Sequence, residues 1–241
     1  MPIGKHQSIR KNYQVLLREL ASVAPGARLI AVSKQQPAER IRELHSCGQR
    51  AFGESYVDEA LAKMDALADL DDLEWHFIGP MQSNKTRDVA ARFHWAQSVD
   101  RVKLIQRLQA QRPSRCPPLQ VLVQVNPDAD PGKRGVDPAA VLEVAQAVQD
   151  CSRLRLRGIM GIPRLDAEAS EQRVAFRTLR QCFQACRRLG EHVDTLSMGM
   201  SMDWRLAVQE GSSMIRLGSV LFGPRDPDTA TTQTLGEKQN E

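Results

Sequence analysis

Lys34 is the side chain whose position most directly suggests covalent chemistry. It closes the run LIAVSK, residues 29 to 34, in which four apolar residues precede a serine and the lysine. A lysine at the end of a buried strand projects into a shielded mouth, where loss of water favours the neutral amine. A neutral amine is a nucleophile that forms an imine with an aldehyde. The competing interpretation is a strand-end lysine that points into water, and position alone favours it.

A second candidate is GPMQSNKT, residues 79 to 86, which differs by one letter from a phosphate-binding loop. The pattern G-x-x-x-x-G-K-[ST] needs a glycine where this chain has Asn84, because that glycine lets consecutive backbone amides turn toward a phosphate. We therefore do not expect a nucleotide to bind here. Ser83 is also a candidate N-cap for a helix that begins at NKTRDVAARF.

Composition places the chain among ordinary globular proteins. Of its 241 residues, 41% are hydrophobic and 26% are charged, which suits one barrel-sized domain or two small ones. The apolar runs are too short for a membrane span and the start MPIGKHQSIRKNYQ is too polar for a signal peptide, so we expect a cytoplasmic protein without a membrane partner. The net charge of +4 is scattered and only 5% of residues are aromatic, which argues against nucleic-acid binding.

The five cysteines form no C-x-x-C pair, and their odd number argues against a disulfide framework. Cys182 and Cys186 lie one helical turn apart, but no adjacent histidine pair completes a tetrahedral site. We interpret both as helix-packing residues and expect no metal.

Short β-branched runs alternate with longer segments of helical spacing, and these elements must position the reactive side chains. The alternation continues from residue 29 to 223 and predicts a single (β/α)8 TIM barrel, because an open doubly wound sheet usually ends after about six strands. Residues 1–225 form this predicted domain, with an extra amphipathic helix over 5–22, and residues 226–241 form a predicted flexible tail. The extra helix carries its apolar stripe at Ile9, Tyr13, Leu16, Leu17 and Leu20. The eight predicted strands lie at 29–34, 50–55, 74–80, 93–100, 119–126, 154–163, 195–200 and 214–223.

Polar residues end most of these strands, and in a parallel barrel the C-terminal strand ends together form the reactive mouth. His76 alternates with Trp75 and Phe77, which directs it into the barrel, either toward a ligand or as a hydrogen-bonded core residue. His94 and Trp95 are expected to fill the barrel. The strand-end positions are Ser33, Lys34, Glu54, Ser55, His76, Gly79, Asn126, Ser197, Met198, Gly199, Arg216, Gly218 and Ser219.

Seven segments occur in a characteristic order: LIAVSKQQP, FGESYVDE, WHFIGPMQSNK, VNPDADPGKRGV, LRGIMGIP, LSMGMSMDW and MIRLGSVLFG. Together they resemble the pyridoxal phosphate (PLP) homeostasis family, whose single-domain barrels are similar to the N-terminal domain of bacterial alanine racemase. The resemblance extends from the first predicted strand to the end of the eighth.

The resemblance implies that Lys34 carries PLP as an internal aldimine. The segment from Arg216 to Ser219 and the hydroxyl of Ser197 would hold its phosphate, and the missing Cβ of Gly218 would permit close approach. Met198 would pack against the cofactor ring. The expected cofactor-binding residues are Lys34, Ser55, His76, Ser197, Met198, Arg216, Gly218 and Ser219.

By the same resemblance the protein is a carrier that holds PLP in the cytosol and delivers it to apo PLP-enzymes. Arg216 facing the ring nitrogen would weaken the ring as an electron sink. The racemase takes a second base from a separate domain, for which this chain has no room, so we expect no strong turnover and a monomer. The alternative is a PLP-dependent enzyme, an amino-acid racemase or lyase with a narrow substrate.

Two positions depart from the family pattern. Ser55 stands where the family usually has the asparagine of FGEN, which puts a hydrogen bond near the cofactor ring in doubt. Asp130 replaces the glutamate of VN-x-x-x-E-x-x-K-x-G, whereas Lys133 and Gly135 are retained.

The segment GPMQSNK keeps two open interpretations. One is the helix cap at its serine, and the other is a loop over the pocket mouth that reaches an anionic ligand with Gln82, Asn84 and Lys85.

Overall fold

Eight parallel strands form the centre of the fold, in a computed structural model that describes residues 8–130, 132–164 and 166–223. The strands pair in chain order and the eighth pairs with the first, so the barrel closes. The predicted (β/α)8 barrel is confirmed, and the predicted tail 226–241 lies outside the described residues. The strands are β1 Arg28–Val32, β2 Ala51–Glu54, β3 Glu74–Phe77, β4 Trp95–Val99, β5 Leu119–Val125, β6 Leu154–Gly161, β7 Thr195–Ser197 and β8 Met214–Leu217.

Helices surround the barrel and connect its strands. In the described ranges none of them is both long and apolar enough to cross a bilayer. The α-helices are α1 Ile9–Val23, α2 Ala38–Ser46, α3 Val57–Ala66, α4 Thr86–Arg92, α5 Val102–Gln111, α6 Val141–Gln149, α7 Ala169–Cys186, α8 Trp204–Gln209 and α9 Ser219–Phe222. Short 3-10 turns occupy Ser83–Lys85, Pro138–Ala140 and Arg187–Leu189.

Alternation along each strand divides the hydrophobic core into two parts. Ile30 and Trp95 belong to a small cluster that fills the barrel lumen. Leu29 and Ala31 point the other way, into the large cluster between the strands and the helices. Full burial of a side chain such as Ile30 contributes roughly 1.5–3 kcal/mol. The inward positions of β1 therefore lead from Arg28 at its start, past Ile30, to the barrel mouth.

Helix α1 packs against α9, next to the end of the last strand. The predicted stripe is correct except at Leu17, which is 38% exposed because it lies about 100° around the helix from buried Leu16. Asn12, which was not part of the predicted stripe, is buried. Its side-chain amide donates to the carbonyl of Leu221 at 3.0 Å. This bond fixes α9 against the N-terminal helix.

The predicted eighth strand, 214–223, is wrong in its second half. Pairing with β1 ends at Leu217, so nothing continues the ladder. The apolar residues that follow form α9 instead, and Leu221 and Phe222 are buried. The change from strand to helix places Gly218 and Ser219 at the barrel mouth.

Candidate functional site

Lys34 lies at the mouth of the barrel, and its neighbours there come from the far end of the chain. Because β1 pairs with β8, the residues that follow these two strands meet. Lys34, Gly218 and Ser219 line one cleft. A Cβ at Gly218 would lie 3.2 Å from the carbonyl oxygen of Val32, so glycine lets the end of β8 approach β1 closely. Val32, Gln36, Phe222 and Gly223 complete the lining.

The backbone just after Lys34 is held in a strained conformation. Gln35 has a φ of 61°, in the left-handed region that glycine adopts more readily. Its N–H donates to Glu59 Oε1 at 2.5 Å, and the Lys63 ammonium donates to the Ser33 carbonyl at 2.7 Å. Such strain costs on the order of 1–3 kcal/mol and persists only where the surroundings enforce it. Helix α3 thus fixes the path of the chain on both sides of Lys34.

A buried ionic cluster lies behind this segment. Lys63 contacts Glu54 at 2.8 Å and Glu59 at 2.6 Å. Glu54 also accepts a hydrogen bond from the Ser33 hydroxyl at 2.6 Å. Burial raises the pKa of Glu54, and the Lys63 ammonium opposes that rise. Glu59 and Lys63 stand one turn apart on α3, so one ammonium serves a carboxylate of its own helix and a carboxylate of β2.

Arg216 is a buried cation on the inner side of β8. Its Nη1 donates to Ser197 Oγ at 2.6 Å and its Nη2 donates to the Gly161 carbonyl at 3.1 Å. Burial lowers the pKa of Arg216 to about 10, and the charge of Asp203 opposes that shift. The guanidinium is therefore charged at pH 7, and within the described ranges its direct contacts are neutral. A buried positive charge with neutral partners favours an anionic ligand nearby.

A chain of hydrogen bonds continues from Ser197 through the barrel lumen. Ser197 Oγ donates to Gln97 Oε1 at 2.7 Å, and Gln97 Nε2 donates to His76 Nδ1 at 2.9 Å. His76 Nε2 donates to Glu74 Oε1 at 2.5 Å, which also accepts from Arg28 at 2.7 Å. This pattern of donors and acceptors assigns the proton of the neutral imidazole to Nε2. The chain links the barrel mouth to the N-terminal ends of the strands.

The lower end of this chain has a defined protonation state. Burial lowers the pKa of His76 to about 4, although the Glu74 carboxylate acts to raise it. Burial acts to raise the pKa of Glu74, but its contacts with His76 and Arg28 prevail and lower it to about 2. At pH 7 the pair is a neutral imidazole and a carboxylate. His76 therefore serves as a hydrogen-bonding link in the lumen.

Comparison with known proteins decides the family. Residues 5–226 match the alanine racemase N-terminal domain family. The pyridoxal phosphate homeostasis protein of Pseudomonas aeruginosa is 48% identical over 218 residues, which are 90% of this chain and 91% of that protein. The protein of the same name from Escherichia coli is 45% identical over 200 residues, which are 82% of this chain and 86% of that protein. The chain belongs to the PLP homeostasis family.

Solved structures agree with this family assignment. PipY of Synechococcus elongatus with PLP bound superposes with a TM-score of 0.82 at 38% identity, covering 90% of this chain and 100% of that chain. Alanine racemase from Corynebacterium glutamicum superposes with a TM-score of 0.69 at 18% identity, and the match covers 61% of that chain. The second likeness shows the fold alone.

The barrel of this family member brings together five of the predicted site residues. Lys34, Gly218 and Ser219 line the cleft, and Ser197 and Arg216 contact each other next to the end of β8. The Ser197 proton is donated to a protein partner, so a phosphate would have to compete for it. Direct contacts of these residues with a cofactor stay predictions.

The other three predicted contacts do not line the cleft. Both ring nitrogens of His76 have protein partners, which identifies it as a hydrogen-bonded core histidine. Met198 is fully buried in the main core between barrel and helices. Ser55 follows β2 and is half-buried, and its role stays a prediction. The geometry thus argues against direct cofactor contact by the side chains of His76 and Met198.

Sequence reasoning missed the residues that support the site. Glu59 and Lys63 hold the Lys34 segment, and their four-residue spacing with opposite charges was a signal for an ion pair. Gln97 connects Ser197 to His76, and its signal was a polar residue in the centre of the strand WAQSV. That signal was visible in the sequence. The hydrogen-bond partners of Gln97, however, depend on which strands face one another across the lumen.

The segment GPMQSNKT forms a turn after β3 that leads into α4. The predicted cap at Ser83 is wrong, because Ser83 begins a 3-10 turn and offers its carbonyl, not its side chain, to Thr86. Lys85 pairs with the Asp58 carboxylate at 2.7 Å. A Cβ at Gly79 would lie 2.0 Å from the Ser55 carbonyl oxygen, so this glycine is required for the close approach of the two strand ends. A role over the pocket mouth stays a prediction.

The remaining candidate residues have structural positions. Trp95 fills the lumen as predicted, whereas His94 precedes β4 and is exposed, because the inward alternation begins only at the next residue. Cys182 and Cys186 are buried on α7, and burial raises the pKa of Cys186 to about 12. Among the described residues no group of three or more His, Cys, Asp or Glu side chains is arranged to hold a metal ion.

Proposed function

We propose that this protein binds PLP covalently through Lys34 and acts in PLP homeostasis. The observation that carries the proposal is the shared cleft of Lys34, Gly218 and Ser219 at the C-terminal end of the barrel. Relatives named as PLP homeostasis proteins and the PLP-bound PipY structure support it.

The residues that line this cleft have the chemistry that such a ligand needs. Lys34 offers an amine to an aldehyde, and the backbone at Gly218 and Ser219 is open to a phosphate because no Cβ stands at residue 218. Arg216, buried two residues before the glycine, provides a positive charge without a carboxylate in contact. An anionic aldehyde therefore meets a nucleophile and a compensating charge.

We further propose that the protein holds PLP without strong catalytic turnover. When bound, PLP supplies a reactive aldehyde and a ring that withdraws electrons. Among the described residues that line the cleft, Lys34 is the one titratable side chain. Proton transfer to and from both faces of a substrate carbon needs two such groups. Cofactor capture, in contrast, needs only the amine.

Borohydride reduction followed by peptide mass spectrometry tests cofactor capture. PLP is added to the purified protein, and reduction fixes any bond between the aldehyde and a lysine. We expect a pyridoxyl adduct on the peptide that contains Lys34. Lys34→Ala should lose the adduct, and before reduction it should lose the visible absorbance of the bound imine. The matched control Lys103→Ala on α5 should keep both. An adduct distributed over several surface lysines, or none, would refute the proposal.

The alternative function, an amino-acid racemase or lyase, is separated by turnover. Exchange of the α-hydrogen of amino acids with deuterated solvent is followed by NMR, with free PLP as the reference. The carrier proposal expects exchange no faster than with free PLP at the same concentration. Exchange far above that rate that also requires Lys34 would establish the enzyme instead.

Delivery to apo PLP-enzymes completes the proposal. The PLP-loaded protein is mixed with a separately purified apo-enzyme, and recovery of that enzyme's activity is compared with recovery from an equal amount of free PLP. Recovery that continues when an aldehyde trap removes free PLP would support direct transfer, and recovery abolished by the trap would exclude it.

We propose that the carrier is a cytoplasmic monomer. Size-exclusion chromatography with light scattering tests its oligomeric state.

A further inference from the structure

A second pocket lies at the opposite end of the barrel from Lys34. It has a volume of about 380 Å³, within the range of about 300–1,000 Å³ that is typical of ligand sites. Four arginines, one glutamate and a histidine contribute its ionisable lining, so the formal excess is three positive charges with the histidine neutral. These residues are Arg28, Arg112, Arg155, Arg157, Glu74 and His94.

Strand alternation explains why arginines gather here. Arg28 is the first residue of β1 and precedes the lumen residue Ile30 by two positions. Arg155 and Arg157 lie near the start of β6, between core-facing Leu154 and the lumen residues that follow. Inward positions at the N-terminal strand ends therefore present their guanidinium groups to one shared pocket.

Protein contacts hold two of these guanidinium groups in place. Arg112 is buried and donates to the carbonyls of Pro117 at 2.8 Å and Phe93 at 2.8 Å. Arg157 lies 4.8 Å above the Trp95 ring and pairs with Asp194 at 2.5 Å. The positively charged wall is therefore preorganised and loses little side-chain entropy when a ligand binds.

Two donors in the pocket are not used by the protein. The Arg155 side chain makes no hydrogen bond or ion pair within the described part of the chain. His94 accepts the Trp75 N–H at Nδ1, at 3.0 Å, so its Nε2 carries the proton of the neutral ring. The lining also contains two side-chain acceptors that the protein already occupies: the Glu74 carboxylate accepts from Arg28 and His76, and Gln120 Oε1 accepts from Arg157. The pocket thus offers donors and positive charge to a ligand that brings acceptors.

We infer that this pocket binds a small oxyanion with two or more negative charges. Guanidinium groups in a fixed arrangement match the paired oxygens of phosphate and carboxylate groups. Phosphate compounds and dicarboxylates share this chemistry, and separate probes distinguish them. The inference is independent of PLP binding, because the two pockets lie at opposite ends of the barrel.

Isothermal titration calorimetry with pyrophosphate, and separately with malonate, tests the site. The protein is first loaded with PLP and then desalted, so that the phosphate cradle beside Lys34 is filled and no free PLP competes with the probe for the arginine pocket. We expect one anion per chain, bound more weakly as salt concentration rises. Arg155→Gln should weaken binding about 10- to 100-fold, since it removes a charge-assisted hydrogen bond. The matched control Arg188→Gln makes the same charge change on an exposed turn after α7 and should leave binding unchanged.

Each outcome has a defined meaning. Binding of pyrophosphate alone assigns phosphate compounds, binding of malonate alone assigns dicarboxylates, and binding of both supports the shared chemistry. Arg155 is exposed, so a thermal unfolding midpoint equal to that of the wild type is expected and verifies the variant. No binding of either probe to the wild type, or equal weakening by Arg155→Gln and Arg188→Gln, would overturn the inference.

Discussion

Replacing Lys63 by methionine isolates the contribution of the ionic cluster behind Lys34. Methionine keeps most of the apolar stem but removes the ammonium that Glu54 and Glu59 share. Removal of one partner from a buried ion pair leaves an uncompensated charge and costs about 3–5 kcal/mol. The Glu54 side chain is 0% exposed and that of Lys63 is 8% exposed, so solvent does little to reduce this cost. We expect Lys63→Met to lower the free energy of unfolding by an amount in that range.

The pH dependence of this loss has a definite sign. Burial already raises the pKa of Glu54 in the folded protein, and loss of the Lys63 ammonium raises it further. A carboxyl group with a raised folded pKa destabilises the fold as pH rises above its unfolded pKa, because the unfolded chain gives up the proton first. The loss caused by Lys63→Met should therefore be largest near pH 7 and should shrink toward the ordinary glutamate pKa, about 4.3.

Urea unfolding followed by circular dichroism provides the assay. Adding Glu54→Gln to Lys63→Met removes the more deeply buried of the two stranded carboxylates, so the double variant should be more stable than Lys63→Met at pH 7 and should lose the part of the pH dependence that Glu54 causes. Lys103→Met is the matched control on exposed α5, with an expected change within about 0.5 kcal/mol. A loss below about 1 kcal/mol for Lys63→Met would place the pair in the range of surface salt bridges and refute the cluster's role. A loss of equal size in acid would refute the assigned charge states.

Three further predictions concern the lumen and the strand ends. His76 has a folded pKa of about 4 against an ordinary value of 6.5, so the wild type should lose about 3 kcal/mol as pH falls across that window. His76→Gln should remove that part of the slope in urea midpoints. Gln97→Leu leaves the Ser197 hydroxyl proton without an acceptor and His76 Nδ1 without a donor, at about 1–3 kcal/mol each, and thermal unfolding should show the loss. Gly79→Ala places a Cβ 2.0 Å from a backbone oxygen and should cost about 1–3 kcal/mol or more, whereas Gly26→Ala has nothing within 4 Å and should be neutral by the same measurement.

The barrel could be predicted because its signal is repeated along the chain. Each strand run contributes weak evidence, and eight of them in alternation with helical segments exclude most other folds. The boundary after Leu217 could not be predicted in the same way. Val220, Leu221 and Phe222 continue an apolar run that is equally suited to a strand or a helix. The strand ends there because β1 offers β8 no pairing partner beyond Ala31. That limit is set by the pairing of β1 with β8 in the closed barrel.

The site was predictable where chain order and strand position suffice. Lys34 stands at a strand end, so any parallel barrel places it at the mouth. The support from Lys63 depends on how α3 rotates against β2, which helical spacing alone leaves undetermined. The orientation of His76 into the barrel was predicted correctly, but its distance from the mouth was not. That distance follows from its register with Trp95, with whose ring it stacks at 5.1 Å.

The protonation states along the hydrogen-bond chain of the lumen favour capture of a ligand over turnover. A general acid or base works best with a pKa near the operating pH. The pKa of His76 is about 4 and that of Arg216 about 10, and the protein's own hydrogen bonds occupy both groups. Neither can exchange protons with a substrate near pH 7 without breaking the chain that crosses the lumen. Lys34 remains as the proposed nucleophile, on a segment that α3 holds in one strained conformation. Under the proposed function, a nucleophile on a fixed segment after β1 and a buried cation on the neighbouring strand β8 are sufficient to hold an anionic aldehyde.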